Sequence, residues 1–127
     1  MLSHYISWLL PVLFLTGCAQ PANKYSPLVA NQQIKQLSAL VAGSHYLRQQ
    51  CKIGNIPDED RLLNTALASA QRRGWDTQAP AYALLAEQSR ARYDELIAED
   101  TAESRPCSRL HLLLIDFLHA ARSSKTA

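Results

Sequence analysis

Four stretches of the chain carry apolar residues that recur every three or four positions, and no stretch keeps the strict alternation of a half-buried β-strand. We expect one helix from about Val29 to Cys51, a second from Pro57 to Arg73, a third that begins at Pro80, and a fourth from about Cys107 to Arg122. Short polar turns join these segments, which favours antiparallel packing of neighbouring helices. The pattern therefore predicts an all-α domain, a compact four-helix bundle over residues 28–122, followed by a frayed polar tail.

Local signals support the helix boundaries. The acidic run 58–60 follows Pro57 and favours the positive end of a helix dipole, so we interpret it as a helix start rather than as paired catalytic carboxylates. Gly74 is a natural helix stop, and Trp75 beside it is expected to plug one end of the bundle rather than to stack on a ligand. Within the first helix, Gly43 weakens the helix by about 1 kcal/mol relative to alanine, and we expect a bend there.

Residues 1–17 have the features of a lipoprotein signal peptide. The apolar run Trp8 to Leu15 is too short to cross a hydrocarbon core, which needs about 20 residues. It ends in Leu-Thr-Gly-Cys, which resembles the lipobox of bacterial lipoproteins, although the leader lacks the usual Lys and Arg. We therefore expect cleavage before Cys18 and acylation of its thiol, with a chance cysteine in a buried helix as the alternative. Residues 18–27 are polar and carry two prolines, which predicts a flexible tether.

The residue after the acylated cysteine indicates the destination of the protein. In many such lipoproteins, an Asp directly after the acylated cysteine retains the protein at the inner membrane. Here that position is occupied by Ala19. By resemblance to that sorting rule, we expect the periplasmic face of the outer membrane. Two or three acyl chains give stable anchoring, because each buried CH₂ contributes about 0.8 kcal/mol.

Acylation of Cys18 leaves two further cysteines, Cys51 and Cys107. The periplasm is oxidising, so an even pair of cysteines in an exported domain favours a disulfide. Metal ligation and a catalytic thiol remain alternatives, although the chain has no CxxC motif. A disulfide here would join the end of the first predicted helix to the start of the fourth.

Signals for catalysis, cofactors and nucleic acid are weak. The chain has no HExxH, GxSxG or P-loop motif. Its net charge is +2, and its basic and acidic residues are interspersed along the sequence. His111, Asp116 and His119 share the fourth helix, but His111 and Asp116 point to different sides. We therefore interpret the histidines as surface residues rather than metal ligands, and predict no enzyme, no cofactor, no metal site and no nucleic-acid partner. A small periplasmic hydrolase or metal-binding protein is the competing class.

The fourth helix is more apolar than one core-facing side requires. At about 100° per residue, Ile115 and Leu112 lie roughly 140° and 200° around the helix from Leu110. They cannot share the face formed by Leu110, Leu114 and Phe117. Either this helix is central in the bundle, or a second face awaits a partner. We favour a docking groove, since an amphipathic partner helix in an apolar groove is a known recognition mode.

The chain resembles the PulS/OutS-type pilotins, the lipoproteins that serve type II secretion secretins. The resemblance covers about Leu28 to Phe117, and the paired cysteines and the Arg-Gly-Trp-Asp-Thr segment are its most specific parts. The matching elements are the lipobox Cys18, Ile34–Ala42, Tyr46–Arg48, Cys51, Ile56–Asp58, Ala70–Thr77 and Cys107.

The resemblance implies a four-helix domain with a Cys51–Cys107 disulfide and a role without catalysis. It implies capture of the disordered C-terminal segment of a secretin subunit, which becomes helical in an apolar groove, followed by transport to the outer membrane, where the secretin multimerises. A structural or assembly lipoprotein of another envelope complex is the alternative. We predict that the groove is lined by Leu37, Leu40, Val41 and Leu47 of the first helix and by Leu112, Leu113 and Ile115 of the fourth.

Overall fold

The computed structural model describes residues 27–100 and 105–124. It contains the helices α1 (Pro27–Gln49), α2 (Glu59–Arg72), α3 (Leu85–Glu99) and α4 (Cys107–Ser123), and a short 3₁₀ helix (Pro80–Leu84). No strand occurs in these ranges, which confirms the all-α, four-helix prediction. The lipobox and most of the expected tether lie outside the described residues. None of the described helices has the length and apolar content needed to cross a membrane.

The third predicted helix is divided into two parts. Pro80 begins the 3₁₀ helix, and α-helical geometry starts only at Leu85. Tyr82 is buried in this turn, where its hydroxyl donates a hydrogen bond to Oε1 of Gln33 on α1 at 2.6 Å. Hydrophobic periodicity indicates which residues face the core, but it does not separate a first 3₁₀ turn from an α-helix.

Both ends of α2 follow the predicted signals. The Asp58 side chain caps the helix by accepting a hydrogen bond from the Arg61 backbone N–H at 3.1 Å. Gly74 follows the helix with φ of +75°, and the backbone N–H of Trp75 closes the end on the Ala70 carbonyl. Trp75 packs against the core from this position, and the Arg73 guanidinium lies 4.9 Å from its ring centre.

Helix α1 is the central element of the fold. It packs against α2, α3, α4 and the 3₁₀ helix, whereas α4 packs against α1 and α2. Accordingly, α1 buries residues outside its predicted apolar stripe, among them Gln33, Ser38, Ala42 and Tyr46. The core lies around α1, and α4 is at the periphery with its inner face on α1.

Gly43 lies at a tight contact between α1 and α4. A Cβ atom at this position would lie 2.8 Å from Cδ1 of Leu114, so the glycine makes room for a side chain of the neighbouring helix. Helix α1 runs through Gly43 without interruption. On sequence grounds this glycine is a weak point where a bend is expected, but the structure gives it a packing role.

A disulfide between Cys51 and Cys107 joins the end of α1 to the start of α4, with the two Cα atoms 5.8 Å apart. This confirms the predicted pairing. Because the same two helices are also in contact at Gly43, the orientation of α4 on the core is fixed at two points along its length.

Candidate functional site

One face of α4 packs on the core, and the rest of the helix surface carries three exposed apolar residues among polar ones. Leu114, Phe117, Leu118 and Ala121 are buried. Leu112, Leu113 and Ile115 have exposed fractions of 74%, 71% and 51%. A helix that packs on only one side has no structural need for these apolar groups. At about 100° per residue, Leu113 and Ile115 lie on opposite flanks of Leu112, so these groups are spread around the outer side of the helix.

A groove lies beside this face, between α2 and α4, with Leu40 of α1 at its floor. Its volume is about 300 Å³. Leu113, Phe117 and Ala120 form the α4 side, whereas the α2 side is polar. The full lining, which we call the α2–α4 groove, is Leu40, Thr65, Ser69, Arg72, Arg73, Leu113, Asp116, Phe117 and Ala120.

The structure divides the seven predicted lining residues into two groups. Leu37, Val41 and Leu47 have at most 1% of their surface exposed and belong to the core. They are buried because α1 has neighbours on several sides, so its apolar stripe is covered by the domain itself, although Val41 also borders a depression between α1 and α3. Their place in the lining of a partner groove stays a prediction. The accessible remainder is Leu40, which is partly buried, with Leu112, Leu113 and Ile115.

The charges around the groove are unequal. Arg72 and Arg73 are exposed at the C-terminal end of α2, and Asp116 is exposed on α4. A bound segment that carries carboxylates beside its apolar residues would pair with the two guanidinium groups. The groove therefore favours an apolar partner with acidic character over a basic one.

The fold also forms a second depression that the sequence analysis missed, between α1 and α3. It has a volume of about 240 Å³, and His45, Tyr93 and the ion pair between Arg90 and Glu59 line it. The His45 ring meets Tyr93 edge-on at a centroid distance of 4.5 Å. Burial lowers the pKa of His45, while Glu59 raises it and Arg48 lowers it further. The spacing of Val41 and His45, one helical turn apart, is the only sequence signal for this site.

The sequence predicts that the histidines of α4 lie on the surface. His119 is exposed, whereas His111 is half-buried. Within residues 27–100 and 105–124, no group of three or more His, Cys, Asp or Glu side chains is arranged to hold a metal ion.

The chain was compared with known protein families, curated proteins and solved structures. The family model described as type II secretion system pilotin lipoprotein (PulS_OutS) matches residues 15–119, a range that begins at the lipobox. Pilotin OutS of Dickeya dadantii is 36% identical over 87% of each chain. Pullulanase secretion protein PulS of Klebsiella pneumoniae is 29% identical over 92% of this chain and 94% of its own length.

Two solved structures share the fold. A chain of a pilotin/secretin peptide complex superposes with a TM-score of 0.69 at 39% identity, covering 75% of this chain and 98% of that chain. A chain from the Klebsiella pneumoniae type II secretion system outer membrane complex, described as PulD, PulS and PulC HR domain, superposes with a TM-score of 0.66 at 28% identity. That match covers 73% of this chain and 98% of the other. The family match, which spans most of the chain, and the identity to OutS show that this protein belongs to the PulS/OutS family of type II secretion pilotin lipoproteins.

Proposed function

We propose that this protein binds the C-terminal segment of a type II secretion secretin, protects it, and delivers it to the outer membrane for multimerisation. The observation that carries the proposal is the set of exposed apolar residues on α4, Leu112, Leu113 and Ile115, of which Leu113 lines the α2–α4 groove. A relative with the same fold was solved as a pilotin/secretin peptide complex, which supports the choice of partner.

Binding is driven by burial of apolar surface on both molecules. An amphipathic secretin helix that places its apolar face on Leu113 and Leu40 gains about 25 cal/mol per Å² of surface removed from water. A segment that is disordered before binding loses conformational entropy when it folds, which offsets part of this gain. The balance favours moderate affinity and reversible binding. Arg72 and Arg73 at the edge of the groove select for carboxylates on the partner.

The anchor supplies the transport step. In this proposal, residues 1–17 are removed, Cys18 carries the acyl chains, and the following polar residues connect the membrane to the first turn of α1. The partner then moves with the lipoprotein to the periplasmic face of the outer membrane. No step of this function requires a catalytic residue or a cofactor, and the proposal assigns none.

The experiment is a titration of the C-terminal peptide of the secretin from the same organism into the domain without its lipid anchor, monitored by far-ultraviolet circular dichroism. We expect helical signal beyond the sum of the two components. Leu112→Asp should weaken this effect, whereas Leu84→Asp, at an exposed leucine away from α4, should not. Additive spectra for the unmodified domain would overturn the proposal and favour an assembly role in another envelope complex.

A further inference from the structure

A second apolar surface lies at the opposite end of the domain from the disulfide. Leu28, in the first turn of α1, is 68% exposed, and Leu84, at the end of the 3₁₀ helix, is 46% exposed. Both line one shallow depression with Ile34 and Ala81. We call Leu28, Ala81 and Leu84 the tether-end patch. The proposed secretin site does not use it, because its residues lie on α1 and the 3₁₀ helix rather than on α4.

The distance along α1 separates this patch from the groove. Leu114 of α4 contacts α1 at Gly43, which is 15 residues beyond Leu28 in the sequence, or about 22 Å along the helix axis at 1.5 Å per residue. The exposed leucines of α4 are adjacent to that contact. The two apolar surfaces are therefore distinct sites at different positions along the axis of α1.

The chain leading to α1 determines what the patch can reach. Helix α1 begins at Pro27, and the residues from Cys18 to Ser26 span at most about 30 Å when fully extended. An acylated Cys18 therefore holds the start of α1 within about 30 Å of the bilayer surface. The tether-end patch lies on this membrane-side end of the domain, next to the point where the tether joins it.

The polar surroundings of the patch also suit a bilayer surface. The described side chains that line its depression include the cation Lys35 and the neutral Asn31 and Gln88, and none of them is a carboxylate. Apolar side chains beside one cation, with no carboxylate in the lining, are compatible with shallow insertion into an interface that contains anionic lipids.

We propose that the tether-end patch docks on the lipid bilayer, so that the domain lies against the membrane with the α2–α4 groove turned towards the periplasm. This inference rests on the acylation of Cys18 proposed above. Two exposed leucines bind a bilayer weakly on their own, but the covalent anchor holds them at high effective concentration near it. Docking would orient the groove for a secretin segment that arrives from the periplasmic side.

The test uses the lipidated protein in vesicles of phosphatidylethanolamine and phosphatidylglycerol with brominated acyl chains. Leu28→Trp places a fluorescent reporter in the patch, and Leu112→Trp, at a more exposed leucine, is the matched control. The protein without a substitution gives the background fluorescence of Trp75. Its measured mass confirms that the acyl chains are attached. We expect brominated lipid to quench the position-28 reporter several times more strongly than the control, and acrylamide to quench it less.

Two results would overturn the proposal. Equal lipid quenching at both positions would show that the patch does not enter the bilayer. Protection from acrylamide without lipid quenching would show that protein, from the tether or from a second copy, covers the patch.

A second variant separates this inference from the secretin proposal. Leu28→Asp combined with Leu84→Asp should increase the mobility of the lipidated domain on vesicles, measured as faster fluorescence depolarisation, and should leave the helicity induced by the secretin peptide unchanged. Loss of peptide-induced helicity in this variant would assign the patch to the secretin and overturn the membrane proposal. Failure of the peptide to bind the unmodified protein would overturn only the secretin proposal.

Discussion

The packing role of Gly43 is visible at the scale of single residues. Glycine in a helix costs about 1 kcal/mol relative to alanine, which the sequence shows. This cost is offset by close packing, because a Cβ atom at position 43 would lie 2.8 Å from Cδ1 of Leu114. Only the structure shows this contact. A helix-periodic pattern identifies a glycine as a weak point, but it carries no information on which side chain of another helix approaches it.

This contact predicts that the effect of Gly43→Ala on the stability of the protein changes sign with the residue at position 114. Gly43→Ala in the unmodified protein forces Leu114 to move in a packed core, which costs about 1–3 kcal/mol and outweighs the gain in helix propensity. In a Leu114→Ala background the space is free, so the same change should stabilise the protein by about 1 kcal/mol. Urea denaturation of the four proteins measures both values. Effects of Gly43→Ala that are equal in the two backgrounds would contradict the assignment.

His45 gives a prediction on pH dependence. Burial lowers its pKa below the ordinary value of 6.5, and its Nδ1 atom is buried without a hydrogen-bond partner in the described structure. Between the folded and unfolded pKa values the unfolded chain binds more protons, so this group reduces stability as the pH falls below about 6.5. Replacing His45 by Asn should flatten the stability profile between about pH 7 and 5. Chemical denaturation at a series of pH values tests this, and an unchanged profile would show that other groups dominate.

At the scale of elements, the sequence shows the faces of a helix but not how many neighbours it has. The apolar stripe of α1 correctly placed Leu37, Val41 and Leu47 on one side, and the structure buries them because α1 is surrounded by the other helices. For α4, in contrast, the surplus of apolar residues was itself a sequence signal. Leu112 and Ile115 are exposed in the structure, and their use as a docking surface stays a prediction.

Leu113 and Leu114 are adjacent on α4 and form a matched pair. Leu114 is 6% exposed and contacts α1, whereas Leu113 is 71% exposed. Leu114→Ala should cost about 2–5 kcal/mol of folding free energy, and Leu113→Ala should stay within about 0.5 kcal/mol of the parent. Leu113→Ala should weaken binding of the secretin peptide because it removes a side chain that contacts the peptide. Leu114→Ala should not have this effect, because Leu114 faces the core. Thermal denaturation and calorimetric titration of the two variants measure this. Loss of stability in Leu113→Ala would place this leucine in the core.

At the scale of the whole molecule, the disulfide and the terminal anchor were the most predictable features. Three cysteines, one of them in a lipobox, left one pair in an oxidising compartment, and the structure joins that pair. The topology was less accessible, because four amphipathic helices are compatible with several arrangements. The central helix α1 also buries polar residues such as Ser38 and Ser44, whose hydroxyls are satisfied by donating to carbonyls of their own helix.

The disulfide between Cys51 and Cys107 closes a loop with a sequence separation of 56. Its loss in Cys51→Ser combined with Cys107→Ser should reduce the stability of the domain by about 4 kcal/mol, since the cross-link restricts the unfolded chain. Because Gly43 and Leu114 still hold α4 on α1, the folded variant should retain its helical content. Denaturation under oxidising conditions tests the prediction, and a reducing agent should destabilise only the parent protein. Equal stability of variant and parent would contradict it.

The central claim is that the exposed face of α4 holds the C-terminal segment of the secretin. The most direct measurement is site-specific photo-cross-linking in the cell, with a photoreactive amino acid at Leu113 and, as the matched control, at Leu84. The account predicts a cross-link from position 113 to the last residues of the secretin and none from position 84. A cross-link to the secretin from position 84 alone, or to no secretin from either position, would contradict it.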